Sequence, residues 1–169
     1  TGSASFGVLK GSGNPGLLLE LLFVLETSSG QNLGIDRFMP NTPLRIVIDH
    51  TGADVTDEYS AEMLNKKLTQ GQIEPLLDND ALVETVLPNM ISAATALANG
   101  FGSIEITKGL KRMNESLNHE IDRLDRLQQK NKNIRPEEIE FARSEQKTLT
   151  NIIKTARVRM DAIQLIRKG

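Results

Sequence analysis

Residues 11–16 read GSGNPG and match the G-x-G-x-x-G spacing of a dinucleotide-binding turn, in which glycines let the backbone approach a pyrophosphate at the start of a helix. That chemistry needs a strand before the motif, a helix after it and further βα units. A strand before it is plausible, since SASFGVLK alternates Phe6 and Val8 with small residues. The segment after it, LLLELLFVLE, is apolar at every position but one from Leu17 to Leu25, so periodicity alone does not separate helix from buried strand. Its length, its Phe23-Val24 pair and its Gly, Pro and Ser flanks favour a strand, with Glu20 and Glu26 on one face. Asn14-Pro15-Gly16 between apolar runs is turn chemistry. The glycines are therefore assigned to a turn, and no cofactor-binding residue is expected.

Other strings fall short of chemistry as well. HEIDR at His119–Arg123 begins like the zinc motif H-E-x-x-H, but Arg123 stands where the second His belongs. Glu115 and His119 lie four apart on one helix face, which supplies two ligands only. No G-x-x-x-x-G-K-[ST] phosphate loop occurs, there is no Cys, and His50 and His119 are the only imidazoles. No catalytic residue and no metal ligand are expected in this chain.

Two groups of residues point instead to partners. Arg37 and Phe38 sit in a Pro-bounded loop and Arg45 on the strand beyond it; an exposed aromatic beside Arg is the composition of an interface anchor. The alternative is that Phe38 plugs the core while Pro40 and Pro43 set the course of the strand. Lys108, Lys111, Arg112, Arg157 and Arg159 form the second group. They would crowd together if the two long helices described below pair, as phosphate contacts require. Glu105 and Asp161 lie among them, and no aromatic stacking platform accompanies them.

The elements that must position these residues follow from composition and spacing. Apolar residues make up 38% and charged residues 25% of 169, a globular profile, and 4% aromatics with one Tyr and no Trp imply an aliphatic core. Absence of Cys suits a reducing cytoplasm. No apolar run reaches the roughly 18 residues that span a membrane. The chain opens TGSAS without Met, so it is expected to be a piece of something longer. Residues 1–100 carry 5 basic against 12 acidic side chains, and 101–169 carry 15 against 10, an asymmetry that marks either a surface for an acidic partner or the wet faces of long helices.

LRIVIDH alternates Leu44, Ile46 and Ile48 against Arg45, Val47 and Asp49, a third strand. The link Thr27–Pro43, with SSGQ, Pro40 and Pro43, offers no crossover helix, so an antiparallel meander of about three strands is expected over residues 3–50. Helix formers then take over: a short helix over Asp57–Leu68, a turn around Pro75 and Asp78–Asp80, and a helical pattern from Asp80 to about Lys130. Gly100 and Gly102 are weak points that mark a break or a close approach. Ile106, Leu110, Met113, Leu117, Ile121, Leu124 and Leu127 form one stripe. Ile139, Ala142, Gln146, Leu149, Ile153, Ala156, Met160 and Ile163 form another. NKNIRPEE between them ends one helix and starts the next with Pro136 and two acids. Folded about Asn133, the stripes meet in layers such as 124/142 and 117/149, with Gln146 opposite Glu120–Ile121. The expected architecture is α+β: a β meander (1–52), a helical connector (53–100) and a long antiparallel helical hairpin (101–169), with a homodimer through the hairpin as one use of it.

LLLELLFVLE, the run LGIDRFMPNTPLRIVIDHTG, and further on HEIDRL, NKNIRPEEI and RMDAIQLI resemble, in one order, the C-terminal region of the RapA family of bacterial RNA polymerase-associated ATPases of Swi2/Snf2 type. The RFMPNTPLR run from Arg37 to Arg45 is the most specific part; between about residues 53 and 101 little matches. The resemblance implies a non-catalytic accessory domain of a translocase that binds RNA polymerase and promotes its recycling in the cytoplasm. It further implies that ATP and Mg belong to the parent's ATPase lobes, toward the N-terminal side. The implied partners are RNA polymerase and those lobes, with DNA as an alternative and no membrane.

Overall fold

A computed structural model describes residues 2–11, 13–27, 34–131 and 133–169. The SSGQ stretch, Ser28–Gln31, lies outside the described residues, as does Ser12 of the glycine motif. The chain divides into two compact units: Thr1–Val24, Pro43–Gly100 and Val158–Gly169 form the first, and Leu25–Thr42 and Phe101–Arg157 the second.

The first unit is built on a sheet of five strands among the described residues: β1 (Ser3–Leu9), β2 (Gly16–Glu26), β3 (Thr42–Asp49), β4 (Leu68–Thr69) and β5 (Arg157–Lys168), in the order β3-β2-β5-β1-β4. This corrects the three-strand antiparallel meander. β5 separates β1 from β2 and runs parallel to β1, in a register that pairs Ser3 with Ala162 and Leu9 with Lys168. β4 pairs antiparallel with β1 on the other side, Leu9 against Leu68. The expected hairpin to residue 169 is corrected with it: the last helix ends at Lys154, and Met160 and Ile163 belong to a strand. The four- and three-residue spacing of Ala156, Met160 and Ile163 fits a helix. The same stretch also fits a strand, since Val158, Met160 and Ala162 alternate with Arg157, Arg159 and Asp161.

Insertion of β5 changes what the glycine motif must do. The link from Leu9 to Gly16 passes the end of β5, where the Gly169 N–H donates to the Leu9 carbonyl at 3.2 Å. It crosses two inter-strand spacings, about 9.6 Å at the usual separation, rather than the single spacing of a hairpin. Gly11 (φ 71°) and Gly13 (φ 83°) take left-handed conformations that side-chain residues avoid.

Both faces of the sheet are covered. Leu19, Leu21, Phe23, Ile46, Ile48 and Leu165 pack with Met90, Ala94 and Ala98 of the long helix, three residues at four-residue spacing. On the other face Leu9, Leu18, Val47 and Ile166 pack with Leu64 of α1 (Ala61–Lys67). Burial on both sides explains the near-continuous apolar run of β2, which Glu20 alone interrupts between Leu17 and Leu25. Ser60 caps α1, its hydroxyl accepting from the Met63 N–H at 3.2 Å. The short helix α2 (Glu74–Leu77) carries Pro75 at its first turn. After β3, Asp49 organises a turn by accepting from the Thr51 hydroxyl (2.6 Å), the Thr51 N–H (2.9 Å) and the Ala53 N–H (3.0 Å). Partial burial pushes its carboxyl up, but these bonds outweigh it and hold the group below its ordinary value.

The helical pattern from Asp80 is unbroken to Lys130, as α3 (Leu87–Lys130) preceded by a π-turn over Leu82–Val86. The Leu87 N–H reaches back to the Leu82 carbonyl, and this widened turn precedes Pro88, which has no N–H to donate and crowds the carbonyl four residues earlier. Gly100 and Gly102 do not interrupt α3.

In the second unit, Met113, Leu117 and Ile121 of α3 are buried, as are Ile139, Ala142, Leu149 and Ile153 of α4 (Pro136–Lys154). Ile121 and Leu124 pack with Ile139 and Ala142. Gln146 donates from Nε2 to Oδ1 of Asn114 (3.0 Å) and of Asn118 (2.9 Å), so its polar layer lies nearer the start of α3 than the expected Glu120–Ile121. Close approach occurs at Gly109, where an added Cβ would lie 3.3 Å from the Phe38 carbonyl oxygen and 3.5 Å from Met39 Cβ; at Gly100 it would meet nothing. Gly100→Ala is therefore expected to stabilise the protein by about 0.5–1 kcal/mol, and Gly109→Val to destabilise it by about 1–3 kcal/mol, measured by urea denaturation.

Candidate partner-binding surfaces

Arg37 ends a 3-10 turn, Ile35–Arg37, that starts from Gly34 in the left-handed region (φ 63°). Its guanidinium lies 4.8 Å from the centre of the Phe38 ring. The ring itself is 4% exposed, so it fills the core of the second unit rather than offering an aromatic surface. Arg112 holds this segment from α3: its Nε (3.1 Å) and Nη2 (2.8 Å) both donate to the Phe38 carbonyl.

Arg45, in the first unit, is largely committed to internal partners. It pairs with Glu20 across β3 and β2, and its Nη2 donates to the Tyr59 carbonyl at 2.6 Å. The His50 N–H donates to the Leu17 carbonyl, so contacts rise along β3 as they fall along β2 and the two strands are antiparallel. Arg45 thus ties the sheet to the segment that leads into α1.

The basic residues are distributed differently from the paired-helix expectation. Lys108 bonds Glu105 at 2.7 Å and Lys111 approaches Glu115 at 3.9 Å, both along α3. Arg112 serves the Phe38 carbonyl. Arg157 and Arg159 stand on β5, Arg157 exposed and Arg159 bonded to Asp161 at 2.9 Å. With β5 a strand, the helix pairing that would gather all five is not formed. The units temper the charge split too: the first holds 7 basic and 11 acidic side chains, the second 13 and 11.

The HEIDR string resolves into an ion pair. Arg123 donates to both oxygens of Glu120, at 2.6 and 2.9 Å, which holds the Glu120 carboxyl below its ordinary value and raises Arg123. His119 is exposed beside it.

A further surface feature, outside the two groups of residues above, is Phe141 of α4, 72% exposed. It borders a shallow groove between α3 and α4 with Leu124, Arg135, Glu137, Glu138 and Glu145. The signal was present, because Phe141 stands off the apolar stripe that holds Ile139 and Ala142, where a large aromatic has no core to fill.

No helix among the described residues is long and apolar enough to cross a membrane. A five-stranded sheet with covered faces and a pair of packed helices defines an α+β protein. The chain belongs to the RapA C-terminal family, described as the C-terminal part of an RNA polymerase recycling family, whose model matches residues 1–167. It is similar to the RNA polymerase-associated protein RapA of Proteus mirabilis, at 29% identity over 168 residues, and of Vibrio campbellii, at 31% over 167. In both cases 98% of this chain is covered, and it spans 17% of the relative. RapA of Histophilus somni is 32% identical over 155 residues, 89% of this chain and 16% of that protein.

Proposed function

We propose that these 169 residues act as one non-catalytic accessory domain of a RapA-type ATPase in the cytoplasm, and that the domain docks on RNA polymerase during recycling. The observation that carries this reading is the family match across residues 1–167. Phe141, exposed beside the α3–α4 groove, has the character of an anchor for such docking, since a large aromatic left in water gains most from a partner that covers it. ATP and Mg are assigned to the ATPase lobes of the parent and not to this chain.

The test is titration of the fluorescently labelled chain into core RNA polymerase and separately into duplex DNA, each at low and moderate salt. Saturable binding to polymerase is expected, weakened about tenfold or more by Phe141→Ala with the melting curve unchanged. Binding to DNA alone, with affinity falling steeply as salt rises, would replace the docking domain with a nucleic-acid arm. Binding to neither would make the domain a brace within its own chain, and concentration-dependent sedimentation of the free chain would assign Phe141 to a homodimer.

A further inference from the structure

Beyond polymerase docking, we infer that the first unit carries a binding site for a phosphate group at the rim of the sheet, between β1 and α1. A cavity of about 240 Å³ opens there, lined by Lys10, Gly11, Glu58, Tyr59 and Lys67, with Leu9 and Met63 as its apolar lining. The strand register brings the cations together. Leu9 pairs with Leu68 on one side and Lys168 on the other, so Lys67, Lys10 and Lys168 arrive at one level from three neighbouring strands or their ends.

The lysines divide into two roles. Lys168 is spent internally: its ammonium donates to the Tyr59 hydroxyl at 3.1 Å and lies 5.5 Å from the centre of the ring. With its oxygen accepting that bond, the Tyr59 hydroxyl keeps its own proton to donate to an acceptor in the cavity. Lys10 and Lys67 are exposed and, among the described residues, form no ion pair, whereas Lys66 beside them is bonded to Glu62 at 2.6 Å. Glu58 is the one carboxylate on the lining, so two cations, Lys10 and Lys67, face one anion in a unit whose side chains are otherwise strongly acidic. Two free ammonium groups and a phenolic donor around one opening complement an anion with several acceptor oxygens.

Size narrows the ligand class. Pockets for drug-sized molecules run to roughly 300–1,000 Å³, and this one is smaller, so it takes one phosphate group rather than a whole dinucleotide. Phosphates of that kind come from free anions or from the backbone of a single-stranded nucleic acid, and the shared chemistry is the tetrahedral oxyanion. Gly11 fits this role without any cofactor motif: its left-handed φ of 71° and its open surroundings leave the rim clear.

The full chain, labelled with nitrogen-15, would be titrated with sodium phosphate, with sodium chloride at matched ionic strength, and with a single-stranded RNA oligonucleotide lacking terminal phosphates. Saturable shifts of the Lys10, Gly11 and Tyr59 amides are expected with phosphate and not with chloride. The double variant Lys10→Gln, Lys67→Gln should weaken binding about tenfold or more while its spectrum stays dispersed. Shifts reproduced by chloride, or an unaltered titration in the folded double variant, would overturn the site. Saturation by the oligonucleotide at lower concentration upholds it with a phosphodiester backbone as ligand, and phosphate binding without oligonucleotide binding upholds it with a free anion.

Discussion

A chain ending at Ala156, without β5, is expected to lose the cooperative unfolding of its first unit. The lost segment is the central strand, with β2 on one side and β1 on the other, so deletion leaves two sheet fragments with unpaired backbone edges. It also removes Leu165 and Ile166, which are 6% and 0% exposed and contribute to the cores on opposite faces. Ile166→Ala, a milder form of the same lesion, should cost about 2–5 kcal/mol, while Arg157→Ala at the exposed start of the strand should stay within about 0.5 kcal/mol. Denaturation followed by circular dichroism and by amide exchange of β1 and β2 decides the matter. A truncated chain with protected β1 and β2 amides would show that the strand order is wrong.

The second large effect is expected at Phe38. The ring is 4% exposed, the following Met39 3%, and the backbone between them is held by the two bonds from Arg112. Truncation to Ala removes most of a buried aromatic from a segment that Gly109 allows to lie close against α3. The expected cost is about 3–5 kcal/mol. In a protein of this size each kcal/mol lowers Tm by about 2–4 °C, so the melting transition of the second unit should fall by at least about 6 °C. Arg37→Ala removes an exposed cation–π contact worth about 0.5–1 kcal/mol and a long 3.4 Å bond from its Nε to the Gly34 carbonyl, and serves as the neighbouring control. A Phe38→Ala protein with unchanged Tm and weakened polymerase binding would return Phe38 to the role of interface anchor.

Particular residues show why some features were legible beforehand. Helical spacing is local: each of Met113, Leu117 and Ile121 needs only a neighbour one turn away, and all three are buried as the stripe requires. Pro136 followed by Glu137 and Glu138 marked the start of α4 because each acts on the first turn of its own helix. Asp49 closing its strand rests likewise on contacts within a few residues, with Thr51 and Ala53. The partner surfaces were less legible. Arg37, Phe38 and Arg45 were singled out for composition, but exposure decides whether an aromatic is an anchor or a plug, and exposure depends on α3. Phe141 was legible only in part: its place off the stripe of Ile139 and Ala142 takes it out of the core of its own helix pair, while its exposure depends on what the rest of the chain leaves uncovered.

The sequence by itself determined the α+β class, the strand character of Leu17–Leu25 and Leu44–Asp49, the helical pattern from Asp80 to about Lys130 with a break at Gly100 and Gly102 left open, the start of α4, and the kinship carried by RFMPNTPLR. Only the tertiary structure decided that Arg157–Lys168 is a strand, that it enters the sheet between β1 and β2, and that Lys10, Lys67 and Lys168 meet at one rim. The physical reason is the range of the interactions. Helices and turns are closed by hydrogen bonds over three to five residues, whereas Ser3 and Ala162 pair across nearly the whole chain. Arg157 to Ala162 alternates polar and apolar residues as a strand does, but the same stretch also continues a helical stripe, so its conformation is set by the edges that wait to receive it.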